Sequence, residues 1–151
     1  MCLFLYLATE SAVPEQDGAP WARLDVRRLP VADPPDPDQS LLEMAFPERA
    51  VYLLGSHTGC GCGWNAYLDL DDAETRHATL DDRDALAALL RALPGAPVLV
   101  AAWSGSLAEP RERRTVTRAD VESLRFRFED ATEYEVVGAD EGGVARPPPV
   151  V

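Results

Sequence analysis

The chain has 151 residues, which favours a single domain and allows a self-sufficient core. Its 26 acidic side chains outnumber 14 basic ones, all of them arginine, and the formal net charge is -12. A surface this negative repels phosphate backbones and anionic lipid, so general binding to nucleic acids or membrane surfaces is not expected. No apolar run approaches the roughly 20 residues of a membrane helix and no signal peptide is recognisable, so a cytoplasmic protein is expected.

Apolar runs and alternation predict the elements of the first half. An apolar run with aromatic residues predicts a buried strand at 2–8, and alternation predicts a half-buried strand at 22–29. The proline-rich segment 30–38 cannot hold a helix or a central strand and is expected to be a surface connection. A short helix at 39–46 and a second buried strand at 50–54 follow.

The strongest helical pattern lies between Thr79 and Leu93, where four leucines recur at the i, i+3, i+4 and i+7 spacing of one face. Thr79 is the expected N-cap, and Asp81 and Asp82 suit a first turn that faces the positive end of the helix dipole. The Pro-Gly pair that follows is expected to end this helix.

Shorter elements are expected beyond and just before that helix. Thr117 and Asp120 predict a capped helix that ends near Leu124. The other expected elements are an extended piece at 67–71, a strand at 97–103, a polar loop at 104–114, an alternating segment at 124–128 and a last strand at 134–137. The arginines of the polar loop, in so acidic a protein, are expected to form internal salt bridges.

These elements predict one α+β domain over residues 1–151, because strands outnumber helices and no repeat is present. The expected architecture is a single mainly antiparallel or mixed sheet with about two helices packed on it. Residues 139–151, which include two glycines and three prolines, are expected to form a frayed tail.

One loop, residues 55–64, has an unusual run of glycine, cysteine and histidine. It reads Gly-Ser-His-Thr-Gly-Cys-Gly-Cys-Gly-Trp. His57, Cys60 and Cys62 are three soft or borderline metal ligands within six residues. Glycines alternate with the cysteines, and glycine adopts positive φ angles at no steric cost, so a tightly curled loop is expected. The loop also follows a predicted strand, where rigid scaffolds often hold functional residues.

A metal site is the leading hypothesis for this loop. Zinc accepts cysteine sulfur and histidine nitrogen, usually as four ligands in a tetrahedron, and His57, Cys60 and Cys62 supply three of them. Cu(I) is the alternative metal, because two thiolates suit a soft ion. The second Cys-x-x-Cys pair of a strong zinc signature is absent. The candidates for a fourth ligand are Cys2, Asp69, Asp71 and His77.

Other functions remain open at this point, and an enzyme is neither indicated nor excluded. Cys60 or Cys62 can serve as a redox thiol or nucleophile with His57 as its base, but no Asn or Asp that orients the histidine can be assigned from the sequence. The motif also fits a tight buried turn without a cofactor, or a nest of amides for an anion. The charge of -12 fits an acidic, non-enzymatic module that binds a basic protein.

Three segments carry a resemblance: Met-Cys-Leu-Phe-Leu-Tyr-Leu-Ala at the start, residues 51–64, and Ala-Trp-Ser-Gly at 102–105. Together they resemble an uncharacterised family of small bacterial proteins, whose central motif is Gly-Ser-His-x-Gly-Cys-x-Cys-Gly-aromatic. The resemblance covers most of the chain, and this sequence departs from the family in the Pro- and Asp-rich insertion at 33–38. It implies no activity, and it singles out the same three residues, His57, Cys60 and Cys62.

Overall fold

The computed structural model describes residues 3–30, 37–58, 61–68, 72–103, 107, 111–123 and 126–138. The elements in chain order are β1 (Leu3–Thr9), β2 (Asp25–Arg28), α1 (Pro37–Ala45), β3 (Ala50–Gly55), a 3₁₀ helix (Gly61–Leu68), α2 (Ala73–Ala92), β4 (Val98–Trp103), β5 (Glu112–Thr117), α3 (Arg118–Glu122) and β6 (Thr132–Val137). The expected tail at 139–151 lies outside the described residues.

The described strands form one six-stranded mixed sheet in the order β2-β3-β1-β4-β6-β5, which confirms the expected α+β class. Every pairing in this sheet is antiparallel except that of β5 with β6. Those two strands are parallel because the chain returns through α3 between them. Strand β1 lies inside the sheet, hydrogen-bonded to β3 on one side and to β4 on the other.

Two hydrophobic layers cover the two faces of the sheet. Alternate residues of β1 contribute to both layers, Leu5 and Leu7 to one and Tyr6 and Ala8 to the other, which explains its continuous apolar run. The larger layer includes the buried leucines of α2, together with Trp64 of the 3₁₀ helix and Val121 of α3. The smaller layer includes the buried Leu42 of α1. The loop at 55–64 therefore belongs to the α2 side of the sheet.

Helix α2 begins earlier than its leucine pattern predicts. Its N-cap is Asp72, whose carboxylate accepts hydrogen bonds from the Glu74 amide at 3.0 Å and the Thr75 hydroxyl at 2.8 Å. These bonds hold the pKa of Asp72 below its ordinary value, with the Thr75 hydroxyl as the largest cause. The expected cap Thr79 lies inside the helix and is fully buried, so that expectation was wrong.

The prediction of a polar loop at 104–114 was also wrong at its end, because β5 begins at Glu112. Charged side chains of β5 and of the residue before it form ion pairs: Arg111 and Arg113 with Glu133 of β6, and Arg114 with Glu112 of its own strand and with Glu129, which precedes β6. The internal salt bridges expected for these arginines are confirmed. A strand stabilised in this way has no apolar alternation, so its sequence reads as a loop.

Two further extended segments were expected where the structure has other conformations. Residues 67 and 68 end the 3₁₀ helix, and 69–71 lie outside the described residues. In the segment 124–128, Phe126 and Phe128 belong to no strand. Their rings stack edge-on with each other and with Tyr134 of β6, so their alternation reflects packing into the core.

A buried arginine on α2 joins these irregular segments. Arg83 is 0% exposed, and its guanidinium donates to the carbonyl oxygens of Trp64 at 2.8 Å, Val121 at 3.0 Å and Phe126 at 2.8 Å. It also lies over the Phe128 ring, 4.7 Å from the centroid. One charged group thereby satisfies backbone acceptors from the 3₁₀ helix, α3 and the segment that precedes β6.

Replacement of Arg83 by methionine should lower the free energy of unfolding by about 3–5 kcal/mol, because several buried carbonyl groups lose their donor at once. The matched control is Arg91→Met on the same helix, where a partly exposed arginine pairs with Glu122. That change should cost less than about 1 kcal/mol. Urea denaturation of the two variants checks this, and equal losses would contradict the assigned role of Arg83.

Candidate functional site

The candidate site lies at one end of the sheet, where three strands start or finish side by side. Leu5 of β1 is opposite Leu54 of β3, and Leu3 of β1 is opposite Trp103 of β4. The loop at 55–64 therefore leaves the sheet beside the first residue of β1 and the last residue of β4. The described parts of the three segments that carry the sequence resemblance meet at this end of the sheet.

The glycines of the loop permit close packing. A Cβ atom on Gly61 would lie 1.9 Å from the carbonyl oxygen of Leu3, and one on Gly63 would lie 2.1 Å from the Ser56 hydroxyl oxygen. Neither glycine has a positive φ; among the described glycines only Gly18 and Gly95 do. The freedom of glycine to adopt positive φ is therefore not what these two positions use. Glycine is required there because the backbone approaches its neighbours too closely for a side chain.

The contact between Ser56 and Gly63 closes the loop on itself. The Ser56 hydroxyl lies 2.9 Å from the Thr58 hydroxyl, and both hydroxyl oxygens border the position of Gly63. His57 follows Ser56 directly, and Cys62 precedes Gly63 directly. His57 and Cys62 are therefore the chain neighbours of two residues, Ser56 and Gly63, that pack closely together. In sequence, His57 and Cys62 are five positions apart.

The imidazole of His57 is held by a carboxylate from α2. Its Nδ1 atom lies 2.5 Å from Oδ2 of Asp82, and the His57 amide donates to both carboxylate oxygens at 3.2 Å. The Asp82 side chain is 0% exposed, whereas that of His57 is 31% exposed. Both the ring and the backbone of His57 are therefore fixed by one buried group.

Arg23 completes the surroundings of Asp82. Its Nε atom donates to Oδ1 of Asp82 at 2.9 Å, and its other nitrogens reach Asp81 at 3.3 Å and the carbonyl oxygen of Ala78 at 3.4 Å. The buried carboxylate thereby receives hydrogen bonds from a guanidinium, an imidazole and an amide. This set of donors offsets the cost of removing a charged group from water.

This geometry selects one tautomer of His57. In the neutral imidazole, the short contact with the Asp82 carboxylate places the proton on Nδ1, which leaves Nε2 with a lone pair. Within the described ranges, no hydrogen bond occupies Nε2, and the ring is partly open to solvent. An imidazole arranged in this way can bind a metal ion through Nε2 or accept a proton there.

The other predicted site residues are placed as follows. Cys62 lies in the first turn of the 3₁₀ helix, while Cys2, Cys60, Asp69 and Asp71 lie outside the described residues. His77 is exposed on α2, five residues before Asp82, and so points about 140° away from it around the helix axis. Among the residues that the structure describes, no group of three His, Cys, Asp or Glu side chains could hold a metal ion.

Sequence reasoning found His57 but missed Asp82 and Arg23 as its partners. Asp82 had a visible signal, because a helical period places it on the same face as Leu86, Leu89 and Leu93, where a solvated carboxylate is not expected. Arg23 offers no comparable signal, since it belongs to an irregular loop remote from Asp82 in sequence.

Comparisons with protein-family models, with curated proteins and with solved structures found no match to this chain. The resemblance of the loop motif therefore stays an expectation, and function has to be argued from the site itself. None of the helices in the described part of the chain has the length and apolar character needed to span a bilayer.

Asp82→Asn should raise the fraction of His57 protonated on Nε2, because an amide no longer demands a proton on Nδ1. Ring ¹⁵N chemical shifts in labelled protein report this tautomer ratio directly. Asp84→Asn, an exposed acid on the same helix, should leave the shifts of His57 unchanged, and His77 is an internal reference in both variants. A wild-type ring that already favours the Nε2–H form would contradict the assigned geometry.

Proposed function

We propose that this chain is a metal-binding protein in which Nε2 of His57 and the sulfurs of Cys60 and Cys62 bind one zinc ion. The observation that carries the proposal is the buried Asp82 carboxylate, 2.5 Å from Nδ1 of His57. Metal-binding histidines almost always donate their second ring N–H to a carboxylate, a carbonyl or a water, which fixes the tautomer and aims the ring. A solvated surface histidine needs no such support.

The shape of the loop also supports this proposal. Contact between Ser56 and Gly63 brings the chain neighbours His57 and Cys62 towards one another, and Cys60 lies between them in sequence. Ligands from a short closed loop suit a tetrahedral zinc ion with bonds of about 2.0–2.3 Å. Cu(I) is the alternative ion, because it accepts the same thiolates with fewer ligands. A reducing cytoplasm, where thiols persist, is part of the proposal.

Elemental analysis of anaerobically purified protein tests the metal site. We expect about one zinc or copper per chain, with the metal lost in Cys60→Ser, Cys62→Ser and His57→Gln, because each removes one ligand. His77→Gln is the matched control and should keep its metal, since this exposed histidine points away from the site. Metal that persists at full stoichiometry in Cys60→Ser would sink the proposal.

Asp82→Asn gives a graded version of the same test. The variant should retain metal at high concentration but bind it about 10–100-fold more weakly, as is typical when the support of a ligand histidine is removed. Competition with a chromophoric chelator measures this ratio, and Asp84→Asn is the control. An unchanged affinity would show that Asp82 supports the fold and not a ligand.

Thiol chemistry is a second candidate, and the same Asp82–His57 pair favours it. A carboxylate that orients an imidazole next to a thiol is the arrangement that activates cysteine nucleophiles, and this carboxylate was the part that the sequence did not supply. In metal-free protein at neutral pH, iodoacetamide should then modify one of Cys60 and Cys62 much faster than a free thiol. His57→Gln should slow that reaction. Equal rates in both proteins would exclude activation by His57.

A further inference from the structure

We infer that Arg23 is a positioning residue of the candidate site, which acts on His57 through the carboxylate of Asp82. The Nε atom of Arg23 donates to Oδ1 of Asp82 at 2.9 Å, and the guanidinium has no hydrogen bond to His57 within the described ranges. Its effect on zinc rests on the proposed function, whereas its contacts hold whichever ligand His57 takes.

The two oxygens of the Asp82 carboxylate have different partners. Oδ1 accepts from Arg23, whereas Oδ2 lies 2.5 Å from Nδ1 of His57, and the His57 amide donates to both oxygens at 3.2 Å. The last torsion of an aspartate side chain is broad, so a carboxylate held from one side alone can rotate. Because the guanidinium occupies Oδ1, Oδ2 stays directed at Nδ1, and Nε2 of the ring keeps a fixed direction.

The guanidinium of Arg23 is itself held in place. Its remaining nitrogens lie 3.3 Å from a carboxylate oxygen of Asp81 and 3.4 Å from the carbonyl oxygen of Ala78, both on α2. Its backbone belongs to a turn in which the Leu24 amide donates to the Trp21 carbonyl at 3.0 Å. Trp21 and Leu24 are both buried in the larger hydrophobic layer. Core packing and helix contacts therefore fix where the planar guanidinium lies, and Asp82 is aligned against it.

An ionic tie between this turn and α2 would not need such a geometry. Arg27, four residues further along, pairs with Asp25 through side chains that are 56% and 36% exposed, and an exposed pair of this kind contributes little. The Asp82 side chain is 0% exposed, so water does not replace its partner. Arg23→Lys keeps the positive charge but exchanges the planar fork for a point charge, and this change separates positioning from electrostatic attraction.

Proton NMR of the metal-free full chain, in cooled and mildly alkaline buffer where histidine rings are neutral, tests this role. The Nδ1–H proton of His57, which lies in a short hydrogen bond to a carboxylate, should resonate far downfield and exchange slowly with water. In Arg23→Lys this signal should move upfield and exchange faster, and in Arg23→Gln it should move further. Arg27→Gln, the matched control, removes one charge from a nearby position and should leave the signal unchanged.

Zinc affinity provides a second readout. Arg23→Lys should weaken zinc binding by less than the factor of about 10–100 expected for Asp82→Asn, because the carboxylate remains and only its alignment is lost. Arg27→Gln should bind zinc as the wild type does. Urea denaturation of the same variants shows whether the changes at His57 occur without a comparable loss of stability.

The possible outcomes separate Arg23 from the proposed function. A His57 signal identical to that of the wild type in Arg23→Lys would overturn the role of Arg23, and so would a wild-type protein without the downfield signal. Wild-type protein that binds no zinc would overturn the proposed function, while the NMR comparison would still decide about Arg23. If Arg23→Gln does not fold, Arg23→Lys carries the test, because it keeps the charge beside Asp82.

Discussion

Two neighbouring charged side chains on α2, both fully buried, fix the two ends of the candidate site. Asp82 holds His57 at the beginning of the loop, and Arg83 holds the carbonyl oxygen of Trp64 where the loop enters the 3₁₀ helix. A buried charge is stable only when hydrogen-bond partners surround it, so each residue requires the loop to be in place. In return, the loop acquires the rigidity of the helix that carries them.

This arrangement also explains why the glycines cannot be exchanged for larger residues without moving the loop. The charged anchors set its ends, while Gly61 packs its middle against Leu3 of β1 and Gly63 packs against Ser56 within the loop. A side chain at Gly61 would push the loop away from β1, and one at Gly63 would displace Ser56; in either case the ring of His57 would lose its alignment with Asp82. The close packing of the two glycines and the hydrogen bonds of Asp82 and Arg83 therefore hold the loop in the same position.

The sequence predicted the elements that bury apolar surface and missed those held by charge. Strand β1 and the leucine face of α2 are recognisable because their periods match the geometry of burial. The first residues of β5 predict a loop because charged side chains paired with Glu133 and Glu129 replace apolar alternation there. Local spacing in the sequence singles out His57, Cys60 and Cys62 as candidate ligands, and of their surroundings the structure describes those of His57. Arg23 is not singled out, because its contact with Asp82 spans 59 positions of the chain.

The position of β1 determines how far a structural change at the candidate site would extend into the sheet. An edge strand such as β2 has one neighbour, and a change at its end would disturb one ladder of hydrogen bonds. Strand β1 has two, and its side chains enter both hydrophobic layers. A change that disturbs the close approach of Gly61 to Leu3, the first residue of β1, would therefore reach both hydrophobic layers, because the two layers share that strand.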